Sequence, residues 1–409
     1  MDFFVHALLV INYMILKFKV FLFLLLLTGC SGNRINQIPH DIRSVKKLII
    51  YSANTKPKDT ISFKRDAVYG NSNNVIIGKM GNIAVDHSGC VFIPDIQKQT
   101  IDVFKSDGKY IKHLGRHGKG PGEFTNIRSL QIRNQHLYAY DLNQTKINVF
   151  KLDSLTFNKT ILLAENRKSF SKLKNASSQI QNIYVRNNNT YIADFTKFGF
   201  SKKFHKWQNY KNTKLYYFLN KNGKISSKLL FKLKYINSII PWPPIHPRTV
   251  MGLHLSKFFG SPQVLVSSNN TIYTAEPDYF LIKIYKSDGN YNGAFYYPFK
   301  KIRLTTKSAT EAGVYKYLIK DMKMMNLPRT WPALYKIKID TKNRIWVSTI
   351  VKNMKVYQWW VLTQKGKLLA RFNWPRNESI QVIKNGYIYT KETNKKGSKD
   401  IVRYRFKLK

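Results

Sequence analysis

Carboxylates recur at one position of a repeating pattern in this 409-residue chain: Asp95, Asp141, Asp194 and Glu276 each close a short apolar run. Carboxylates drawn together from several repeats are what a divalent cation such as Ca2+ needs as ligands, and what acid–base catalysis needs as proton carriers. At a strand end, however, an acid more often accepts backbone N–H bonds in a tight turn, and that is the role expected of Asp95, Asp141 and Asp194. Other catalytic patterns are missing. The nine histidines show no metal spacing: His113 and His117 stand four apart, but across a strand and a glycine turn. No Gly-x-Ser-x-Gly elbow occurs, and 22 acids are a thin supply for proton transfer. Cys90 has no partner thiol beyond Cys30 and is expected as a buried strand residue.

Recognition chemistry is better represented. Two long insertions carry Trp242, His246 and Arg248 in one and Arg329 and Trp331 in the other, set among prolines. Trp, Arg and Pro make a stiff amphipathic surface suited to stacking a sugar or docking a protein; the alternative role for Trp242 and Trp331 is to cap the ring. The segment Gly115–Phe124 adds Arg116 and Lys119, expected exposed on one face. Its glycines lack the Gly-Lys-Ser/Thr ending of a phosphate loop, so they are read as turn formers that free φ, with Phe124 plugging between sheets.

The elements that must position these residues repeat six times. Each unit has a short alternating strand, a polar turn, a second strand, an aromatic third strand, an Asp-Gly- or Asn-Gly-like turn and a fourth strand. The units centre on Ile83–Leu114, Leu130–Phe150, Ile183–Gly223, Val264–Gly289, Ile337–Gly366 and Ile380–Phe406. The second strands end at Asp95, Asp141, Asp194, Glu276, Thr349 and Lys391, at intervals of 46, 53, 82, 73 and 42 residues. The short intervals fit a four-stranded propeller blade and the long ones signal insertions. The predicted fold is all-β, a six-bladed propeller of four-stranded antiparallel blades, with at most a short helix between Ala309 and Met325. The sixth unit ends one strand short, and an open blade would expose an apolar edge. Ile61–Tyr69 is therefore predicted to pair with Ile401–Leu408 and close the ring.

The N-terminal run Lys17-Phe-Lys19 to Leu27-Thr28-Gly29-Cys30 has a basic start, about eight apolar residues and a small-residue site before a cysteine. Eight helical residues rise about 12 Å, too short for a ~30 Å hydrocarbon core. Leu27-Thr28-Gly29-Cys30 resembles the bacterial lipobox, which implies cleavage before Cys30 and lipid attachment to it. The reading divides the chain into a signal peptide over residues 1–29, with Met14 as an alternative start, a tether over 30–45 and the propeller over 46–409. Ser31, with no aspartate after the cysteine, favours the outer membrane by resemblance to sorting rules.

The Gly-rich linker ending in Gly122-Glu-Phe124 resembles that of NHL-type propellers. Over about residues 46–409 the chain looks like the lipid-anchored six-bladed β-propeller proteins of Bacteroidetes and related bacteria. Formal charge is +47, which predicts attraction to anions and says nothing of fold. An exported location argues against nucleic acid as the partner. The functional expectation is a membrane-anchored, periplasmic or outer-membrane binding module for a glycan or an envelope protein, with no catalytic residue and no cofactor. The alternative is a hydrolase or lyase holding Ca2+ or another divalent cation in the central channel.

Overall fold

The computed structural model describes residues 38–72, 75–163, 176–199, 207–241, 253–254, 256–322 and 327–409. The chain divides into two compact units, residues 1–46 and 47–409. The described part of the first holds one helical turn, α1 (His40–Arg43). The second is a ring of six small sheets.

Two strands precede the first blade: β1 (Leu48–Ile50) and β2 (Ile61–Tyr69). Blade 1 is β3 (Ala84–Val85), β4 (Val91–Asp95), β5 (Thr100–Phe104) and β6 (Tyr110–Leu114). Blade 2 is β7 (Ile127–Arg133), β8 (His136–Asp141), β9 (Lys146–Lys151) and β10 (Thr156–Leu162). Blade 3 is β11 (Ala176–Val185), β12 (Tyr191–Lys197), β13 (Trp207–Leu219), β14 (Phe231–Pro241) and a two-residue fifth strand, β15 (Leu253–His254). Blade 4 follows α2 (Ser256–Phe259) and is β16 (Gln263–Val266), β17 (Ile272–Ala275), β18 (Leu281–Tyr285) and β19 (Tyr291–Tyr296). Two short helices, α3 (Thr306–Glu311) and α4 (Lys316–Asp321), lead to blade 5: β20 (Leu334–Ile339), β21 (Ile345–Ile350), β22 (Val356–Leu362) and β23 (Leu368–Pro375). Blade 6 is β24 (Ser379–Lys384), β25 (Tyr387–Thr393) and β26 (Lys399–Leu408), completed by β2.

The first strand of each blade contacts the first strand of the next, in the order β3, β7, β11, β16, β20, β24 and back to β3. That cycle is the wall of a central channel. The expected clasp forms: β2 pairs antiparallel with β26, from Ile61 opposite Leu408 to Tyr69 opposite Ile401. Tyr69 is 1% exposed and donates its hydroxyl to the Ser106 carbonyl of blade 1, tying the closing strand to the next sheet. A second closure was not legible in the sequence: β1 adds a parallel edge strand outside β19, with Leu48 opposite Ala294. The long interval in blade 3 is absorbed partly by β13 and β14, of 13 and 11 residues, rather than by loop alone. The single helix expected between Ala309 and Met325 is two, α3 and α4, broken at Gly313 with φ +69°.

Strands alternate between two cores, because both faces of every blade are covered. In β4, Phe92 packs toward blade 2 with Leu137 and Phe150, whereas Val91 and Ile93 pack toward blade 6 with Tyr389 and Ile401. Each of the six blade junctions has such an apolar cluster, the others linking blades 2–3, 3–4, 4–5 and 5–6. At ~25 cal/mol per Å² of apolar area buried, these junctions supply the main driving force for closing the ring. The outer turns use the glycines expected of them: Gly108, Gly223, Gly289 and Gly366 have φ between +79° and +93°.

The turns between first and second strands form a second device. Asn189, Asn270, Asn343 and Asn385 sit at φ +58°, +62°, +56° and +52°, a left-handed conformation that Asn tolerates better than most residues. Their side chains and neighbours reach from blade to blade. Asn187 N–H donates to Asn270 Oδ1 at 2.9 Å, Ser268 N–H to Asn343 Oδ1 at 3.1 Å, and Asn385 Nδ2 to the His87 carbonyl at 2.8 Å. Blade 2 joins the chain through Asn134 Nδ2, which donates to the Asn187 carbonyl. The polar turns thus lace one face of the ring.

Candidate functional site

The four strand-end acids do not converge. Asp95 accepts N–H bonds from Gly78, Lys79, Gln97 and Lys98 at 2.8–3.2 Å, holding the segment that enters its own blade. Burial alone would raise its pKa, but those donors outweigh it and hold the carboxyl below its usual range. Asp141 does the same work in blade 2, accepting from Thr125 and Gln144 N–H at 2.6 and 3.0 Å. Asp194 is fully buried against Lys214 Nζ at 2.7 Å, and Glu276 lies 3.8 Å from Lys283 Nζ. At the sixth position the logic inverts: Lys391 donates to the Met80 and Gly81 carbonyls at 3.0 and 2.8 Å, so blade 6 grips the chain entering blade 1. Among the described residues no group of three or more His, Cys, Asp or Glu is placed to hold a metal ion.

Other expected positions separate. Arg116 is exposed and pairs through Nε with Glu123 Oε1 at 2.7 Å, while Glu123 Oε2 accepts from Gly120 N–H. Lys119 is exposed and its carbonyl accepts from Lys146 Nζ. In the same loop Phe124 is fully buried, and a Cβ on Gly115 would fall 2.5 Å from its ring. For Trp331 the burial matches the capping alternative and not the binding surface. Trp331 is 2% exposed, its ring tilted against Phe258 with centroids 5.7 Å apart in a cluster with Ala309 and Ile350, and donates Nε1–H to Ser308 Oγ at 3.0 Å. An indole so enclosed cannot stack a sugar; it anchors the insertion to blade 5. Arg329 beside it is exposed. Cys30, Met14, Trp242, His246 and Arg248 lie outside the described residues, as does the signal segment. Cys90 is only half-buried, just before β4, and burial raises its thiol pKa, so little thiolate forms at neutral pH.

The sequence singled out the channel only as a possible cation site, not for its lysines and amides. One mouth opens as a vestibule of about 550 Å3, walled by Ser129 and Gln131 of blade 2, Asn182 of blade 3, Lys336 and Lys338 of blade 5, and Gln381 of blade 6. Tyr335 and Tyr357 stack at its rim, centroids 4.2 Å apart, with the Arg376 guanidinium 4.4 Å from the Tyr357 ring. The six inner strands contain no Asp or Glu, yet carry Arg128, Arg133, Lys336, Lys338 and Lys384. Period two explains the pairing: Lys336 and Lys338 alternate with Ile337 and Ile339 and so share one face of β20.

Three of these cations bridge blades. Lys338 Nζ donates to the Gln381 carbonyl, Lys384 Nζ to the Val85 carbonyl at 2.7 Å, and Arg133 Nη2 to the Val266 carbonyl at 2.7 Å. Burial lowers the pKa of Lys336 and Lys384 and, with the Lys336 charge adding to it, brings Lys338 down to about 7. The acid of the vestibule rim is Glu378, whose carboxyl is pushed up by burial and then by Glu392, against Arg65.

Residues 71–228 match the model of the DUF5128 family, described as a 6-bladed beta-propeller. With the six-membered cycle of inner strands, that match decides the architecture. The chain is a six-bladed β-propeller. Solved structures similar to this propeller include a protein of Bacteroides fragilis named for its inferred export, at 10% identity and TM-score 0.47, covering 88% of this chain and 99% of its own. A member of the duf4221 family from Bacteroides vulgatus is 8% identical with TM-score 0.47, covering 86% and 99%. Virginiamycin B lyase from Staphylococcus aureus is 10% identical with TM-score 0.37, covering 84% and 99%. No curated protein matches the sequence.

Proposed function

We propose that this propeller is an exported, lipid-anchored binding module of the cell envelope that receives a glycan at the channel vestibule. Export and anchoring rest on the lipobox-like Leu27–Cys30 segment. The observation that carries the binding reading is the fate of the carboxylates: Asp95, Asp141 and Asp194 are spent on backbone donors or a half-buried lysine, which leaves the channel with amides, lysines, Glu378 and an aromatic rim. Stacked tyrosines beside amide side chains suit a sugar, whose ring faces are apolar and whose rim is a ring of hydroxyls. The enzyme alternative needs several acids or histidines aimed at one point, and no observation favours it.

The test is a glycan array with the mature protein and with Tyr335→Ala, a residue 37% exposed at the rim. Oligosaccharide binding that weakens several-fold in the variant, with unfolding temperature unchanged, supports the reading. Binding unaffected by Tyr335→Ala, or none to any glycan, sinks it.

A further inference from the structure

The vestibule holds a charge the fold does not use. Lys338 Nζ spends one hydrogen on the Gln381 carbonyl, and a protonated amine has three to give. For Lys336 Nζ, no hydrogen bond or ion pair is found among the described residues; its nearest partner is the Tyr335 ring, 6.0 Å to the centroid. Lys336 is nonetheless held inside the lumen, accessible to solvent while surrounded by wall. A lumen-facing ammonium with no acceptor in the wall keeps its hydrogens free for an anion that enters.

We propose that Lys336 and Lys338, side by side on one face of β20, form an oxyanion site in the vestibule, which takes a carboxylate or sulfate group carried on the glycan. The site deepens the reading of this channel as a glycan receptor, and it commits that ligand to being acidic. The other cations have different duties. Lys384 and Arg133 cross the far end of the channel to carbonyls of other blades, and Lys391 holds the chain entering blade 1. Burial lowers the proton affinity of Lys336 and, with the Lys336 charge as a smaller addition, that of Lys338; an anion beside them would favour the protonated forms.

Calorimetric titration of the mature protein with a tetrauronate, with its carboxyl-reduced neutral counterpart and with inorganic sulfate tests this. Loss of one charge-assisted contact should weaken tetrauronate binding about tenfold or more in Lys336→Met, with Lys336→Arg retaining most of it. Lys395→Met, in the exposed turn between β25 and β26, should bind as the wild type does. Lys336 makes no side-chain bond that folding needs, so unfolding temperatures should coincide. Lys336-dependent binding of sulfate without binding of either sugar supports the anion site and overturns the glycan reading. Equal binding of the acidic and neutral sugars, unchanged in Lys336→Met, overturns the anion site and keeps the glycan reading. Equal losses in Lys336→Met and Lys395→Met, or no binding of tetrauronate or sulfate at all, also overturn it.

Discussion

Asp102 is the residue whose surroundings serve it worst. It is 4% exposed, its Oδ2 has no hydrogen-bond partner, and burial followed by the Asp95 charge raises its pKa to about 6, against smaller opposing effects of Lys98 and His113. An acid bound more tightly to its proton when folded stabilises the fold least once ionised, so its cost appears as pH rises from about 4 to about 6. Asp102→Asn should therefore raise stability by on the order of 2 kcal/mol at pH 8 and by nothing near pH 3, read by urea unfolding at both. Lys338 works in the opposite sense. Its folded pKa of about 7 lies below the ordinary lysine value, so its charge costs stability below pH 7 and that cost is relieved as pH rises towards 10.5. An anion in the vestibule needs the protonated form, with Lys336, Lys391, Glu378, Tyr184, Tyr335 and Tyr357 facing the same space. Tetrauronate affinity should fall between pH 6 and pH 8.5, and a flat profile would show that Lys338 takes no part.

At the scale of elements, the clasp and the asparagine turns are the parts that make the ring one body. Removing residues up to Tyr69 should abolish the single cooperative unfolding transition, because β26 then loses a nine-residue partner and Tyr69 its place between blades. Tyr69→Ala alone should cost about 3–5 kcal/mol, as for other large buried aromatics. Removing residues only through Ile50 should leave cooperative unfolding intact, since β1 is an added edge of three residues. Asn343→Ala should cost roughly 1–2 kcal/mol, through left-handed strain and the lost Ser268 bond, and Asn343→Gly less, by thermal unfolding. Much of this was legible. Strands such as Val91–Asp95 announce themselves by apolar runs between turn residues, and the strand deficit of blade 6 pointed to Ile61–Tyr69. β1 was not, because Leu48–Ile50 is too short to signal and its partner lies nearly 250 residues away. Lys336 and Lys338 were visible as residues but not as a site. With 69 basic residues in the chain, only the knowledge that β20 is an innermost strand sets these two apart. Trp331 stayed ambiguous for a related reason: side-chain type allows recognition or capping, and only packing against Phe258 decided for an anchor.

The whole molecule separates two kinds of attraction for anions. The outer surface carries most of the +47 charge in open water, where a Debye length of ~10 Å at 0.1 M salt shrinks to ~3 Å at 1 M. Long polyanions held by that surface should be released by 0.5 M salt, whereas a short oxyanion held through Lys336 should lose far less, because the lumen excludes most counterions. Binding isotherms at low and high salt separate the two. The crossing of Arg133 from blade 2 to the Val266 carbonyl of blade 4, and of Lys384 to Val85, carries a consequence for what can be recognised. A polymer could not be threaded through the disc without breaking those bonds, so the well is dead-ended. A ligand must leave by the door it came in, and what is read is a chain terminus or a side branch, never the middle of a strand passing through.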